Sequence, residues 1–182
     1  MEIREVVTYL EMTSAADLVP GRPPGEVVEV RRAEVACPEL NRFFYTAVGG
    51  DWHWTDRLAW TYAQWLAAVT RPGHETWVAY VRGTPAGYFE LDGEGKGGAV
   101  ELEYFGLLPQ FAGRGVGGHL LTVAVRRAWE KQAGRVWLHT SSLDHPAAIG
   151  NYVARGFRVV RAEEGVKEMA GPPPGAWPGA GR

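Results

Sequence analysis

The chain has 182 residues, 46% of them hydrophobic, with eight tryptophans and a formal net charge of -2. This is one domain's worth of sequence with enough apolar bulk for its own core, and its interspersed charges give no electrostatic footprint for nucleic acid or an anionic membrane surface. A single cysteine, Cys37, excludes an internal disulfide and a cysteine-built zinc site, and fits a reducing compartment.

The opening MEIREVVTYLEM carries charges at Glu2, Arg4 and Glu5 and lacks the pattern of a signal peptide. No apolar run approaches the ~20 residues that cross a bilayer, so the expected location is the cytoplasm. Residues 3–12 have strand composition, 13–26 form a Pro/Gly loop, and 27–34 alternate like a second strand. Pro38 suits the first position of a helix that ends at Gly49-Gly50, and a second helix is predicted from Thr55 to the stop at Arg71-Pro72-Gly73. Segments 76–82, 86–92 and 99–108 read as an antiparallel meander. There follow a helix from about Gly115 to Gln132, a strand over 135–140, a shorter helix over about 145–155 and a strand over 157–164. One domain is expected over 1–170, and the Pro/Gly-rich tail 171–182 is expected to be disordered.

Four glycines, at 113, 115, 117 and 118, crowd the entrance to the long helix. Each costs about 1 kcal/mol against alanine inside a helix, so four together call for a close approach to the backbone. A strand, a glycine turn and a helix N-terminus make an anion site, with phosphate as the natural guest. The nucleoside triphosphate P-loop is excluded because no lysine followed by serine or threonine is present. Gly113-Arg114-Gly115-Val116-Gly117-Gly118 matches G-x-G-x-x-G literally, but a spacer and an antiparallel meander precede it, and the next strand ends His139-Thr140 without an acidic residue.

The run Leu107-Leu108-Pro109-Gln110-Phe111-Ala112-Gly113-Arg114-Gly115-Val116-Gly117, followed by Leu120-Leu121, resembles the pyrophosphate loop of the GCN5-related N-acetyltransferase (GNAT) superfamily. A second element at the matching distance downstream, Ala148, Tyr152, Gly156 and Phe157, fits the family's A-x-x-x-Y-x-x-x-G-F. The resemblance covers roughly residues 27–164. It implies an α/β (α+β) fold whose mixed central sheet splays between the fourth and fifth family strands, after the third meander strand, with flanking helices and an additional N-terminal strand. No final strand follows residue 164 to complete the usual C-terminal hairpin; the N-terminal strand or a partner subunit is expected in its place. The family's Arg/Gln position is Ala112 here, and the asparagine three residues before the alanine is His145.

The resemblance further implies acetyl-CoA as cosubstrate, held by Phe105, Leu107, Ala112, Gly113, Arg114, Gly115, Gly117 and Gly118, with main-chain N–H groups cradling the pyrophosphate. Tyr152 stands at the family's leaving-group acid and Glu101 at the catalytic glutamate of histone-type members. Strand alternation places Glu101, Glu103, Phe105 and Leu107 on one face and Leu102 and Tyr104 on the other, so Glu101, Glu103 or a water chain is the expected base. The family builds its acceptor site from the first two helices and their connection. There Phe43, Phe44, Trp60 and Trp65 read as core, while Trp52 and Trp54 of the DWHW loop, with Glu103, are the candidate acceptor residues; a dimer contact is the loop's alternative use. Asp51 or Asp56 is available for a cationic amine, and Asp144 reads as a helix N-cap.

The five histidines, His53, His74, His119, His139 and His145, show no metal-ligand spacing, so no metal is expected. The leading expectation is an N-acetyltransferase moving acetyl to a primary amine of a small molecule or peptide in a ternary complex, with no nucleic-acid or membrane partner. A non-catalytic acyl-CoA-binding or regulatory protein is the alternative, and a dinucleotide oxidoreductase rests on the literal glycine match alone.

Overall fold

The computed structural model describes residues 2–169 and 171–177. Seven strands, β1 (Glu2–Met12), β2 (Val28–Arg32), β3 (Glu75–Val81), β4 (Thr84–Asp92), β5 (Ala99–Leu107), β6 (Arg135–Ser141) and β7 (Arg158–Glu168), form one sheet in the order β2-β3-β4-β5-β6-β1-β7. Four α-helices, α1 (Pro38–Gly49), α2 (Tyr62–Thr70), α3 (Val116–Glu130) and α4 (Ala148–Ala154), flank it.

The two halves of the sheet meet at one short seam. β5 and β6 pair in parallel only through Ala99↔Arg135, Val100↔Val136 and Glu101↔Trp137. Beyond Glu101 the strands part, and the opening between them is the structural basis of the site. The mixed, splayed sheet of the sequence reading is the observed architecture.

The additional N-terminal strand fills the place of the missing hairpin partner. β1 pairs antiparallel with β6 on one side, from Val7↔Ser141 to Met12↔Val136, and with β7 on the other, from Glu2↔Glu168 to Glu11↔Arg158. Its alternation buries Thr8, Leu10 and Met12, the last two at 1% and 0% exposure, in the core with Val136, Leu138 and Phe157.

The core has two sides. Phe89, Leu91, Leu102 and Leu138 pack against Leu120, Leu121, Ala124 and Val125 of α3 and Tyr152 of α4. On the opposite face Val78 and Tyr88 pack against Phe44 and Val48 of α1. Phe44 and Trp65 are core as expected, whereas Phe43 is 49% exposed.

The second helix starts seven residues later than predicted. Residues 55–60 form consecutive turns, with Leu58 N–H donating to Thr55 O and Trp60 N–H to Arg57 O. A capping box then begins α2: the Thr61 hydroxyl accepts from Gln64 N–H, and the Gln64 side chain accepts from Thr61 N–H. Of the tail, Gly175 N–H donates to Gly50 O at 2.9 Å, and residues 178–182 lie outside the described residues.

Candidate active site in the splay of the sheet

A groove of about 740 Å³ runs along the opening between the sheet halves. One end is the turn before α3, lined by Pro109, Ala112, Gly113, Gly115, Gly117 and Gly118; Phe105, Gly106 and Leu107 of β5 form its floor. α4 contributes Ala148, Gly150, Asn151 and Tyr152, and the far end is closed by Val48, Asp51, Trp52, Trp54, Asp144 and His145.

The four glycines serve different needs. Gly113 and Gly115 have φ of +75° and +81°, the left-handed region in which side chains are strained, and Gly115 caps α3. Gly117 has normal helical backbone; a Cβ there would meet Leu107 Cδ1 at 3.6 Å and Asn151 Nδ2 at 3.9 Å, so its bare face belongs to the groove. Gly118 receives the N-terminal linker: Gly21 N–H donates to Thr122 Oγ1, which donates to Gly118 O, each at 2.8 Å.

The N–H groups that open α3 have no acceptor within the helix and form the positive end of its dipole. Ala112 is an exception among the expected donors, because its N–H is given to Pro109 O. Arg114 points elsewhere. Its guanidinium pairs with Glu26 and lies 5.5 Å from the Phe111 ring centroid, outside the groove lining. Glycines without side chains, a helix N-terminus and an apolar floor fit an extended pyrophosphate-bearing molecule such as acetyl-CoA.

A bulge corrects the expected strand faces. Glu90 pairs with Tyr104 but Leu91 with Leu102, leaving Glu103 as the extra residue. Glu103 and Tyr104 therefore both face α1 and α2, whereas Phe105 and Leu107 pack with Leu102 on the α3 side. Glu103 accepts from Arg57 at 2.5 Å and also from Arg71, and does not line the groove. Glu101 is likewise outside the lining; its Oε1 lies 3.2 Å from His139 Nδ1 at the point where β5 and β6 part. That partner, first among several causes, raises the His139 pKa above 6.5; burial opposes the shift, and the Asp144 and Glu103 charges reinforce it.

Beneath the site lies a buried charge network. Arg57, 6% exposed, stands between Glu103 and Glu90, with Glu90 Oε2 at 3.6 Å. Burial raises the Glu90 carboxyl to about 7, against the opposing Arg57 charge and an Asn41 hydrogen bond. His74, Glu90 and Glu103 bring one donor atom each within 4.8 Å of one another, and the Arg57 guanidinium supplies positive charge beside both carboxylates. Arg57 also stacks over Tyr104 at 4.4 Å and Trp60 at 4.5 Å. Tyr104 and Tyr45 in turn support Trp54, at 5.1 and 5.6 Å between ring centroids.

Tyr152 lines the groove, buried against Phe105 and Phe157. Burial, followed by the Asp144 charge, raises its pKa above 10 and keeps the phenol protonated. Asp144 is not the cap expected of it, because α4 begins at Ala148 after Ala147. Instead its Oδ2 accepts from Thr140 Oγ1 and Ser141 N–H, each at 2.8 Å, and its Oδ1 from Trp54 Nε1 at 2.9 Å. Asn151 went unread in the sequence, and Asp144, His145 and His139 were read there without a place in the site.

The comparisons with known proteins agree with this architecture. The acetyltransferase (GNAT) family model matches residues 34–157. A GCN5-related N-acetyltransferase from Sphaerobacter thermophilus superposes with a TM-score of 0.64 at 17% identity, covering 91% of this chain and 51% of that one. One from Kribbella flavida gives 0.60 at 19% identity, over 85% and 54% of the two chains, so this chain spans about half the length of both. An aminoglycoside acetyltransferase from an uncultured soil metagenomic sample gives 0.54 at 13% identity, over 70% and 87%. At these identities the likeness is one of fold. A search of curated protein sequences returns no match. The family match spans more than half of the chain and carries both the glycine turn and Tyr152, and the chain belongs to the GNAT acetyltransferase family.

Proposed function

We propose that the protein is an acetyl-CoA-dependent N-acetyltransferase acting on a primary amine of a small molecule or peptide, by direct attack within a ternary complex. The observation that supports this reading is the coincidence, in one groove, of the side-chain-free turn before α3, the β5 floor at Phe105–Leu107 and the protonated phenol of Tyr152. Bound acetyl-CoA supplies the thioester whose acetyl carbon passes to the amine nitrogen as coenzyme A leaves. Gly113, Gly115, Gly117 and Gly118 hold its pyrophosphate through main-chain N–H groups. Tyr152 gives its proton to the departing sulfur and regains one from solvent. Glu101 orients His139, which accepts the amine's proton through water, since neither side chain lines the groove.

The test is calorimetric titration with acetyl-CoA followed by turnover on an amine panel. Gly117→Val fills the groove from an unstrained helical position, and we expect its acetyl-CoA affinity to fall at least about tenfold, roughly 1.4 kcal/mol, with circular dichroism unchanged. Tyr152→Phe should keep that affinity and lose turnover by roughly 10². Wild-type affinity in the first variant would remove the groove from cofactor binding. Binding without turnover on any amine would favour a non-catalytic acyl-CoA-binding protein.

A further inference from the structure

We propose that the end of the groove bounded by Trp52, Trp54, Asp144 and His145 is the acceptor subsite, and that it takes a cationic primary amine on an aromatic or apolar body with no carboxylate beside the nitrogen. This rests on reading the opposite end of the groove as the acetyl-CoA site.

Two contacts close that end from opposite sides of the splay. The Trp54 indole donates to Asp144 Oδ1 at 2.9 Å, and the Trp52 ring meets the His145 imidazole edge-on, at 4.8 Å and 62°. The loop after α1 and the loop after β6 are thereby fastened to each other across the gap. These four residues line one groove with Tyr152, so an acceptor that occupies this end lies against them.

Charge selects what can enter. Among the described residues, the carboxylates lining the groove are Asp51 and Asp144, and the lining contains no lysine or arginine. The other acids near the site have partners: Glu103 with Arg57 and Arg71, Glu101 with His139, and Asp56 with Lys167 at 3.2 Å. An ammonium leaving water needs a counter-charge in the groove or pays a large desolvation penalty. Asp144 is half-buried and fixed by its three donors. Oδ1 receives one of those bonds, so it retains the capacity to accept from an ammonium. Asp144 and Tyr152 line the same groove, so an amine held at Asp144 shares that space with the proposed acid.

The walls decide the rest of the molecule. Two indoles attract a cation by their ring faces and, with Val48 and Phe105, offer apolar surface to whatever carries the nitrogen. A carboxylate next to the amine would face Asp51 and Asp144 with no lysine or arginine in the lining to receive it. The same reasoning disfavours free amino acids against the corresponding decarboxylated amines.

The experiment compares phenethylamine and tryptamine with phenylalanine, tryptophan and putrescine, following coenzyme A release after acetyl-CoA binding has been measured by calorimetry. The expected result is turnover of the two arylalkylamines, with kcat/KM at least about tenfold lower for the two amino acids. Asp144→Asn keeps an oxygen for the Trp54 indole and should raise the phenethylamine KM at least about tenfold, with acetyl-CoA affinity within about twofold of wild type. Trp52→Ala provides a second variant whose KM should rise more for phenethylamine than for putrescine. Acetyl-CoA binding without acetylation of either arylalkylamine, a preference for the amino acids, or an unchanged KM in Asp144→Asn would each overturn the subsite. Failure to bind acetyl-CoA would overturn the assignment of the whole groove, and the subsite with it.

Discussion

Glu101 and His139 are separated by 38 positions, and no pattern of spacing connects them. Alternation places Glu101 and Glu103 on one face, which the structure retains, but the bulge at Glu103 carries Phe105 and Leu107 to the other face. A bulge adds one residue without leaving a compositional trace, so the error was invisible in the sequence. The glycine cluster was legible as a demand for close approach to the backbone, whereas the structure shows that Gly113 and Gly115 are also required by positive φ angles. The neighbour of Gly118 was not legible, since Gly21 arrives from a distant loop. The Glu101–His139 pair has a pH signature. The imidazole must be neutral to accept a proton, and its raised pKa puts the acid limb of the kcat profile above pH 6.5. Glu101→Gln removes the chief cause of that rise, so the limb should move to lower pH and the plateau should fall. An unmoved limb in kcat measured against pH would take the pair out of the proton path.

Among the elements, the meander, the long helix and the final strand-helix-strand run follow from apolar periodicity and from glycine and proline positions. The start of α2 was misplaced at Thr55, although Thr61 and Gln64 stand at capping-box spacing. The tryptophans before it simply extend the apolar periodicity back to Thr55, although Arg57 is buried and its N–H is spent on the Tyr45 hydroxyl. The strand character of β1 was evident; its destination was not, because pairing with residues 136–141 and 158–168 is nonlocal. Its contribution to stability can be measured at Leu10, 1% exposed in the core. Leu10→Ala should cost about 2–5 kcal/mol by chemical denaturation, the range for a fully buried leucine. A loss below about 1 kcal/mol would mean that β1 lies on the sheet without securing it.

At the scale of the whole molecule, one face of the meander half carries the buried network of Arg57, Glu90, Glu103, Asn41 and His74. Its titration sets how stability varies with pH. Glu90, raised from 4.5 to about 7, contributes stability that is present below pH 4.5 and lost as the pH rises through 7. His74, lowered by burial from 6.5 to about 4, contributes stability present above pH 6.5 and lost as the pH falls through 4. Glu90→Gln abolishes the first loss, so its Tm relative to wild type should climb between pH 5 and about pH 7 and level off above it. A Tm difference constant over that interval would show that Glu90 titrates alike in the folded and unfolded chain. The network was hidden in the sequence because its members come from α1, the turns before α2, the residue before β3, and the strands β4 and β5.

The position of β1 also imposes an order on biosynthesis. β1 has no neighbour in the sheet until residues 136–141 emerge from the ribosome, and its second neighbour waits for residues 158–168. Meanwhile an eleven-residue segment carrying Leu10 and Met12 remains without its sheet partners, a state exposed to wrong pairings and to chaperones. The meander half can form early, whereas β6 and β7 are joined only through β1. Because Glu2 lies beside Glu168, a permuted gene joining these points and opening within the 19–26 loop would make β1 last. β1 would then follow β7 directly, so both of its partners would already be on hand when it emerges.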